Sequence, residues 1–202
     1  MSTTDATPAI RQLRADARRN RERILEAAKE VFGEQGAEAQ MDDVARRAGV
    51  GVGTVYRHFP NKDVLMGELV TEKFKTITEN AREALAQDDA WEAFTNLLYR
   101  SAEEMARNSA LQDALSTAGA AYEYAEPARL ELHEATDMLV KRAQRQGKLR
   151  RDFRADELPM LMGGLCASMA APFPAACDWR RHLEILLDGL RAKPPASSRR
   201  SA

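Results

Sequence analysis

Hydrogen-bonding side chains of several kinds are concentrated between Thr54 and Lys62. A hydroxyl, a phenol, a guanidinium, an imidazole and an ammonium group fall within this segment, and such groups contact the phosphate oxygens and base edges of nucleic acids. Val55 and Phe59 are four residues apart, as on the buried side of a helix. The segment therefore predicts a short helix whose outer surface can bind a nucleic acid.

The preceding residues, Met41–Val50, predict a first short helix. It crosses the helix that begins near Thr54, which is therefore the second of the pair. Small Ala45 permits a close crossing, and Gly49 relieves the backbone of a tight turn between the two helices. Pro60 ends the second helix, and Asn61 is suited to cap the helix that follows. This order predicts a helix-turn-helix, whose second helix fits a DNA major groove about 12 Å wide.

The rest of the chain is predicted to be helical as well. Few segments alternate with period two, whereas apolar residues recur at three- and four-residue spacing. Such stripes run from Ile24 to Phe32, Met66 to Leu85, Trp91 to Met105, Leu132 to Ala143 and Trp179 to Leu190. The fold class is therefore all-α.

The 202 residues carry a formal net charge of -1, so a nucleic-acid contact must be local. From Arg11 to Arg23, six arginines face two acidic residues, which gives a local net charge of +4. This region is interpreted either as a solvated tail or as an arm whose Arg11 and Arg14 enter a DNA minor groove.

Cysteine usage predicts a reducing, cytoplasmic location, because Cys166 and Cys177 form no cysteine framework. The first ten residues are polar and do not predict a signal peptide. Leu158–Cys177 is uncharged and about long enough to span a bilayer, but Pro172 and Pro174 interrupt it. A helix buried against protein is the expectation there, with no membrane partner.

The pattern from Gly36 through Met41-x-x-Val-Ala-x-x-Ala-Gly-Val-x-x-Gly-Thr-Val-Tyr-Arg-His-Phe-x-Asn-Lys-x-x-Leu65 resembles the DNA-binding domain of TetR/AcrR-family regulators. The likeness extends from about Arg18 to Leu69. It implies a three-helix DNA-binding domain joined through helix four to a six-helix ligand-binding and dimerisation domain. Carried over by position, it implies phosphate contacts by Thr54, Tyr56, His58 and Lys62, and a place at or near base edges for Gly51, Val52, Gly53 and Arg57.

Two positions depart from the family pattern. Gln40 stands where family members often carry Ser or Thr as a helix cap. Asp42 and Asp43 bring negative charge to the first helix of the motif, and Asp43 is expected to align with the helix dipole rather than face DNA.

The chain is accordingly divided into a flexible arginine-containing arm (1–17), a helix-turn-helix DNA-binding domain (18–65), a helical ligand-binding and dimerisation domain (66–192) and a disordered tail (193–202). Small residues along one helix face, Gly163, Ala167, Ala170 and Ala171, together with the stripe from Trp179 to Leu190, predict a homodimer. The alternative is that both helices belong to the core of a single chain.

The resemblance implies a regulator, most simply a repressor released from a double-stranded DNA operator by a small apolar or amphipathic molecule. The alternative is an activator, or a ligand-independent DNA-binding protein of the same fold. No cofactor is expected. Candidate pocket residues, each of which can equally be ordinary core, are Trp91, Phe94, Leu98, Met105, Tyr122, His133, Met138, Met162, Cys166 and Phe173.

Three other functions are alternatives to this interpretation. An enzyme is disfavoured because the chain has no HExxH, nucleophile elbow, phosphate-binding loop or paired-carboxylate motif. A metal sensor using Cys166, Cys177 and His182 is disfavoured by their scattered spacing, and no metal is expected. A nucleoid-type binder is separated from a regulator by whether its DNA sites share a sequence.

Overall fold

The computed structural model describes residues 8–117, 119–170 and 178–192. Regular structure in these ranges is helical, as predicted, apart from an isolated antiparallel bridge between Leu149 and Arg191. Short 3-10 helices lie at Gly36–Glu38 and Ala155–Glu157. The α-helices are α1 (Pro8–Gln35), α2 (Met41–Ala48), α3 (Val52–His58), α4 (Lys62–Ala84), α5 (Ala90–Arg107), α6 (Ser109–Thr117), α7 (Gly119–Tyr124), α8 (Glu126–Arg145), α9 (Leu158–Ala170) and α10 (Trp179–Leu190).

Some sequence predictions fall outside the described residues, namely those on Ala171, Phe173 and Cys177, on the tail 193–202 and on residues 1–7 of the arm. The uncharged stretch weighed as a membrane span contributes α9, which is only 13 residues long. None of the helices described here combines the length and apolar character that crossing a membrane requires.

The described chain forms two compact units. The first contains residues 8–71, 110–117 and 119–125, and the second contains residues 72–109, 126–170 and 178–192. The single helix α4 contributes residues 62–71 to the first unit and 72–84 to the second.

In the first unit, α1 packs against α2, and α2 packs against α3. Val44 and Ala48 are buried as predicted. Gly49 ends α2 in the left-handed conformation at φ 64°, which a side chain with a Cβ rarely adopts. The buried face of α1 consists of Ile24, Leu25, Ala27, Ala28, Val31 and Phe32.

Asp43 stabilises the start of α2, where the sequence offers only Gln40 as a cap. The backbone N–H of Gln40 donates to Asp43 Oδ2 at 3.1 Å. The Asp43 carboxylate also accepts a hydrogen bond from Arg46. Asp43 is therefore held at the positive end of the helix dipole, as expected from the sequence.

The arginine-rich N-terminal region differs from the predicted arm, because α1 begins at Pro8 and continues without interruption to Gln35. Proline is well placed in a first helical turn, where a backbone N–H has no intrahelical acceptor. No further proline and no glycine occurs before Gly33, so nothing in the sequence ends the helix early. Arg11 and Arg14 are consequently helical residues.

In the first unit, α4 and α7 approach each other so closely that only glycine fits at position 67. A Cβ built on Gly67 would lie 2.6 Å from Tyr124 Cβ and 3.4 Å from the Ala121 carbonyl oxygen. A distance of 2.6 Å is well inside van der Waals contact, so a larger residue here would push the two helices apart.

The second unit has its own apolar core, formed by residues of α4, α5, α8, α9 and α10. Within it α5 packs against α8, α9 and α10. The Phe94 and Phe153 rings meet edge to face with their centroids 6.3 Å apart. Asp89 caps α5 by accepting the backbone N–H groups of Trp91 and Glu92.

Candidate nucleic-acid interface

Helix α3 presents the hydrogen-bonding face predicted from the sequence. Tyr56 is 46% exposed and Val52 is 44% exposed, and Arg57, Gly51 and Gly53 are exposed as well. Thr54 and His58 are partly buried at the edges of this face. The structure therefore exposes Val52, Gly53, Tyr56 and Arg57 on the part of α3 that faces away from buried Val55, with Thr54 and His58 at its margins.

The opposite side of α3 anchors it to the first unit. Val55 and Phe59 are completely or almost completely buried, as their spacing predicts. The Arg21 guanidinium of α1 lies over the Phe59 ring, 5.4 Å from its centroid, and also pairs with Glu68 at 2.6 Å. One arginine of α1 thus contacts both the end of α3 and the first half of α4.

A second arginine of α1 holds the turn of the helix-turn-helix. Arg23 Nη2 donates to the Ala48 carbonyl oxygen at 2.5 Å. Because the last carbonyls of a helix have no intrahelical donor, this bond satisfies one of them at the C-terminus of α2. Arg23 therefore helps to fix the position from which α3 begins.

An ion-pair network links the outer faces of α1 and α2. Arg47 contacts Glu30 at 2.8 Å and Glu34 at 2.5 Å. The hydrogen bond from Arg47 lowers the pKa of the Glu34 carboxyl below its ordinary value. All three groups are well exposed, so the network restricts the orientation of α2 more than it adds stability.

Lys62 at the start of α4 makes contacts that the sequence did not reveal. Its Nζ donates to the Ala37 carbonyl oxygen at 2.6 Å and lies 5.3 Å from the Phe32 ring centroid. An ammonium group has three N–H donors, so the bond to Ala37 leaves two for a phosphate. Asn61 caps α4 as predicted, since its Oδ1 accepts the Val64 N–H at 2.9 Å.

Four of the predicted pocket residues lie together in the core of the second unit. Trp91, Phe94 and Leu98 of α5 and Met162 of α9 are buried in one cluster. Met105 of α5 packs against this cluster, and Cys166, one turn after Met162 on α9, is partly buried. Trp91 also lines a small groove of about 210 Å³. The other residues that line this groove are Thr95, Tyr99, Glu184, Leu187, Asp188 and Arg191.

The remaining candidates are placed elsewhere. Met138 is 58% exposed on α8, and Tyr122 belongs to α7 in the first unit. His133 Nδ1 lies 3.4 Å from Asp156 Oδ1 in a partly exposed pair. These three side chains do not join the apolar cluster. The sequence could not reveal this, because residue type alone does not specify which face of a helix is buried.

Lys73 is a residue that the sequence reasoning missed. It lies on α4 between Val70 and Ile77, in register with the apolar stripe, and it is partly buried. Burial lowers the pKa of the Lys73 ammonium from its ordinary value of 10.5, and nearby Cys166 and Glu104 oppose that shift. The signal in the sequence was a charged residue at a position where the helical period requires an apolar one.

Two family models match the chain. The model of the bacterial regulatory proteins of the tetR family matches residues 24–69, which include α2 and α3. The model of the C-terminal domain of SbtR-like transcriptional regulators matches residues 89–192, just over half of the chain.

Known proteins of similar sequence and structure agree with these matches. A TetR transcription regulatory protein from Mycobacterium vanbaalenii is 34% identical, with a TM-score of 0.62 over 89% of this chain and 99% of that one. A TetR transcriptional regulator from Streptomyces coelicolor is 28% identical, with a TM-score of 0.61 over 86% and 99% of the two chains. An HTH-type transcriptional regulator of Staphylococcus aureus is 46% identical over 54 residues. That match covers 26% of this chain and 29% of the relative's length.

Replacing Lys73 with methionine is expected to stabilise the protein at neutral pH, because burial disfavours the charged ammonium. The folded-state pKa of Lys73 is below 10.5, so the unfolded chain binds more protons between these values. Wild-type stability should therefore rise with pH across that window, and the advantage of the variant should shrink. Urea unfolding at several pH values measures both effects.

Lys75→Met on the same helix is the matched control, since Lys75 is exposed. It should change the free energy of unfolding by less than about 0.5 kcal/mol. An unstable Lys73→Met variant would contradict the inference that the site disfavours the ammonium.

Proposed function

The chain belongs to the TetR family of bacterial transcriptional regulators, and on that premise we propose that it is a homodimeric repressor released from its operator by a small apolar or amphipathic molecule. The proposal depends above all on α3, which exposes Tyr56 and Arg57 on one side and buries Val55 on the other. A helix anchored in this way can enter the major groove with its donors facing the DNA.

On α3 we assign two kinds of contact. Thr54, Tyr56 and His58, together with Lys62 of α4, bind phosphates and fix the register of the protein on the duplex. Arg57 has a guanidinium that can donate two parallel hydrogen bonds to guanine O6 and N7. Gly51 and Gly53 have no side chain and are exposed on either side of Val52, which allows close approach of the backbone to base edges.

Dimerisation is assigned to the exposed faces of α9 and α10. Met160 is 83% exposed and Ile185 is 55% exposed, and Gly163, Gly164 and Ala167 are exposed beside Met160. Exposed apolar side chains next to small residues favour close packing of helices against a second copy of the chain. A dimer places two recognition helices about 34–36 Å apart, one helical turn of DNA.

The effector site is assigned to the interior of the second unit, near Trp91, Phe94, Met105, Met162 and Cys166. Aromatic and methionine side chains suit an adaptable apolar site. Lys73 supplies a cation there, which fits a ligand with both an apolar and a polar part. Met138 and Tyr122 are left out of this assignment, because neither lies in the apolar cluster.

Coupling between effector and DNA is assigned to α4. This helix carries Lys62 near the DNA-binding face and Ala81 and Ala84 in the core of the second unit. A ligand that favours a different position of α4 would change the separation of the recognition helices. The free energy of DNA binding is then weakened by at most the difference between the ligand's binding free energies for the two states.

Two substitutions on α3 test the assigned contacts on an operator selected from random duplexes with the intact protein. Tyr56→Phe should weaken binding about equally on all operator variants, because it removes a phosphate contact. Arg57→Ala should cost about 1–3 kcal/mol on the selected operator and less on duplexes changed at the base pair it reads. Fluorescence anisotropy with single-base operator variants measures this pattern.

Two results would contradict these contacts. Equal losses for Arg57→Ala on every duplex would move Arg57 to the DNA backbone. A lack of affinity of the intact protein for any duplex at low salt would overturn the function itself.

Replacing Gly163 with leucine tests the dimer. A Cβ at Gly163 meets no described atom within 4 Å, so the single chain should fold normally. In a closely packed dimer the leucine would separate the subunits, and the variant should sediment as a single chain. Gly33→Leu, also with no described atom near its Cβ, is the control and should sediment like the wild type. A dimeric Gly163→Leu variant would move the interface elsewhere.

A compound library tests the effector. A compound that releases the protein from its operator should raise the melting temperature of the DNA-free protein, because it binds the folded state. At one hundred times its dissociation constant, such a compound stabilises by about 2.7 kcal/mol. Phe94→Ala changes the assigned core site and should reduce this stabilisation. Met138→Ala changes an exposed side chain and serves as the control, which should leave the stabilisation unchanged. Release without any thermal shift would point to competition at the DNA face.

A further inference from the structure

The first half of α1 projects beyond the packed core of the first unit. Burial begins at Ile24, whereas none of the described side chains from Arg11 to Arg23 is buried. We call residues 8–23 the α1 extension. At 1.5 Å per residue it is roughly 24 Å long.

The α1 extension is strongly cationic although the whole chain is slightly acidic. Residues 8–23 contain six arginines and only two acidic residues, Asp16 and Glu22. Arg19 pairs with Asp16, and Arg18 pairs with Glu22 at 3.6 Å with both side chains mostly exposed. Exposed pairs of this kind contribute little, so these arginines can exchange partners at small cost.

The base of the α1 extension lies beside the recognition helix. Arg23 bonds to the carbonyl of Ala48, and Gly51, the residue before α3, follows three positions later. Arg21 lies over Phe59 at the other end of α3. The base of the extension therefore lies next to the surface assigned to DNA, which favours duplex DNA over an acidic protein as its partner.

The helical state of the α1 extension determines how it can contact DNA. An α-helix with side chains is about 10–12 Å across, whereas the minor groove is about 6 Å wide. The extension thus cannot thread the minor groove in the way an extended arm does. Long arginine side chains on its surface can instead contact the phosphates that border the groove.

We propose that the α1 extension is a second DNA-binding element, in which Arg11, Arg14 and Arg18 contact phosphates flanking the half-site bound by α3. Arg14 and Arg18 are one helical turn apart, and Arg11 precedes Arg14 by three residues, so the three follow one side of the helix. All three side chains are exposed. This proposal rests on the proposed DNA-binding function of α3.

The test compares two triple variants on the selected operator with long flanks. Arg11→Gln, Arg14→Gln and Arg18→Gln together should reduce the slope of log affinity against log salt by about 0.9 for each phosphate contact removed. Hydroxyl-radical protection of the flanking backbone should be lost while protection by α3 remains. The control replaces exposed Arg100, Arg145 and Arg151 with Gln, which changes the net charge equally but lies outside the extension.

Each outcome decides the proposal. A smaller salt slope and a shorter footprint for the first variant alone support it. Equal slopes and footprints for both variants overturn it while leaving the function of α3 intact. Loss of affinity only on operators with A-tract flanks overturns the phosphate contacts in favour of minor-groove reading. If the intact protein binds no duplex, the extension and the proposed function both fail.

Discussion

The recognition helix is too short to hold its own conformation. An isolated helix of fewer than about 12 residues is marginal in water, and α3 has seven. Its shape and direction therefore depend on the side chains that it buries, Val55 and Phe59, and on the left-handed turn at Gly49 that precedes it. The arginines of α1 act at the same places, one at the turn and one over the Phe59 ring. Every DNA contact assigned to α3 depends on this small core.

The second unit combines an apolar core with a cation that the core disfavours. Lys73 interrupts an apolar stripe of α4, and burial lowers its pKa. Natural proteins commonly keep such unfavourable groups at sites where a ligand compensates for them. The same helix carries Lys62 in the first unit, so Lys73 and Lys62 share one continuous backbone.

Local signals made the helix-turn-helix predictable, because its turn, cap and stop residues (Gly49, Asn61 and Pro60) act on their immediate neighbours. The burial of the candidate pocket residues was less predictable, since Met138 is exposed and Tyr122 lies in the first unit. Helical periodicity shows that a helix has a buried face, but tertiary packing decides which neighbours cover it. The length of α1 was missed because arginine-rich sequence is equally typical of solvated coil and of exposed helix.

The distribution of tryptophan gives the molecule a built-in optical reporter. Both tryptophans of the chain, Trp91 and Trp179, belong to the second unit. Each indole lies close to a guanidinium, Arg191 at 4.7 Å and Arg180 at 4.4 Å from the ring centroids. Intrinsic emission excited at the indole band thus follows the second unit alone, whereas far-ultraviolet dichroism follows the helices of both. Comparing the two signals during denaturation reveals whether the units melt together or in sequence, without any label.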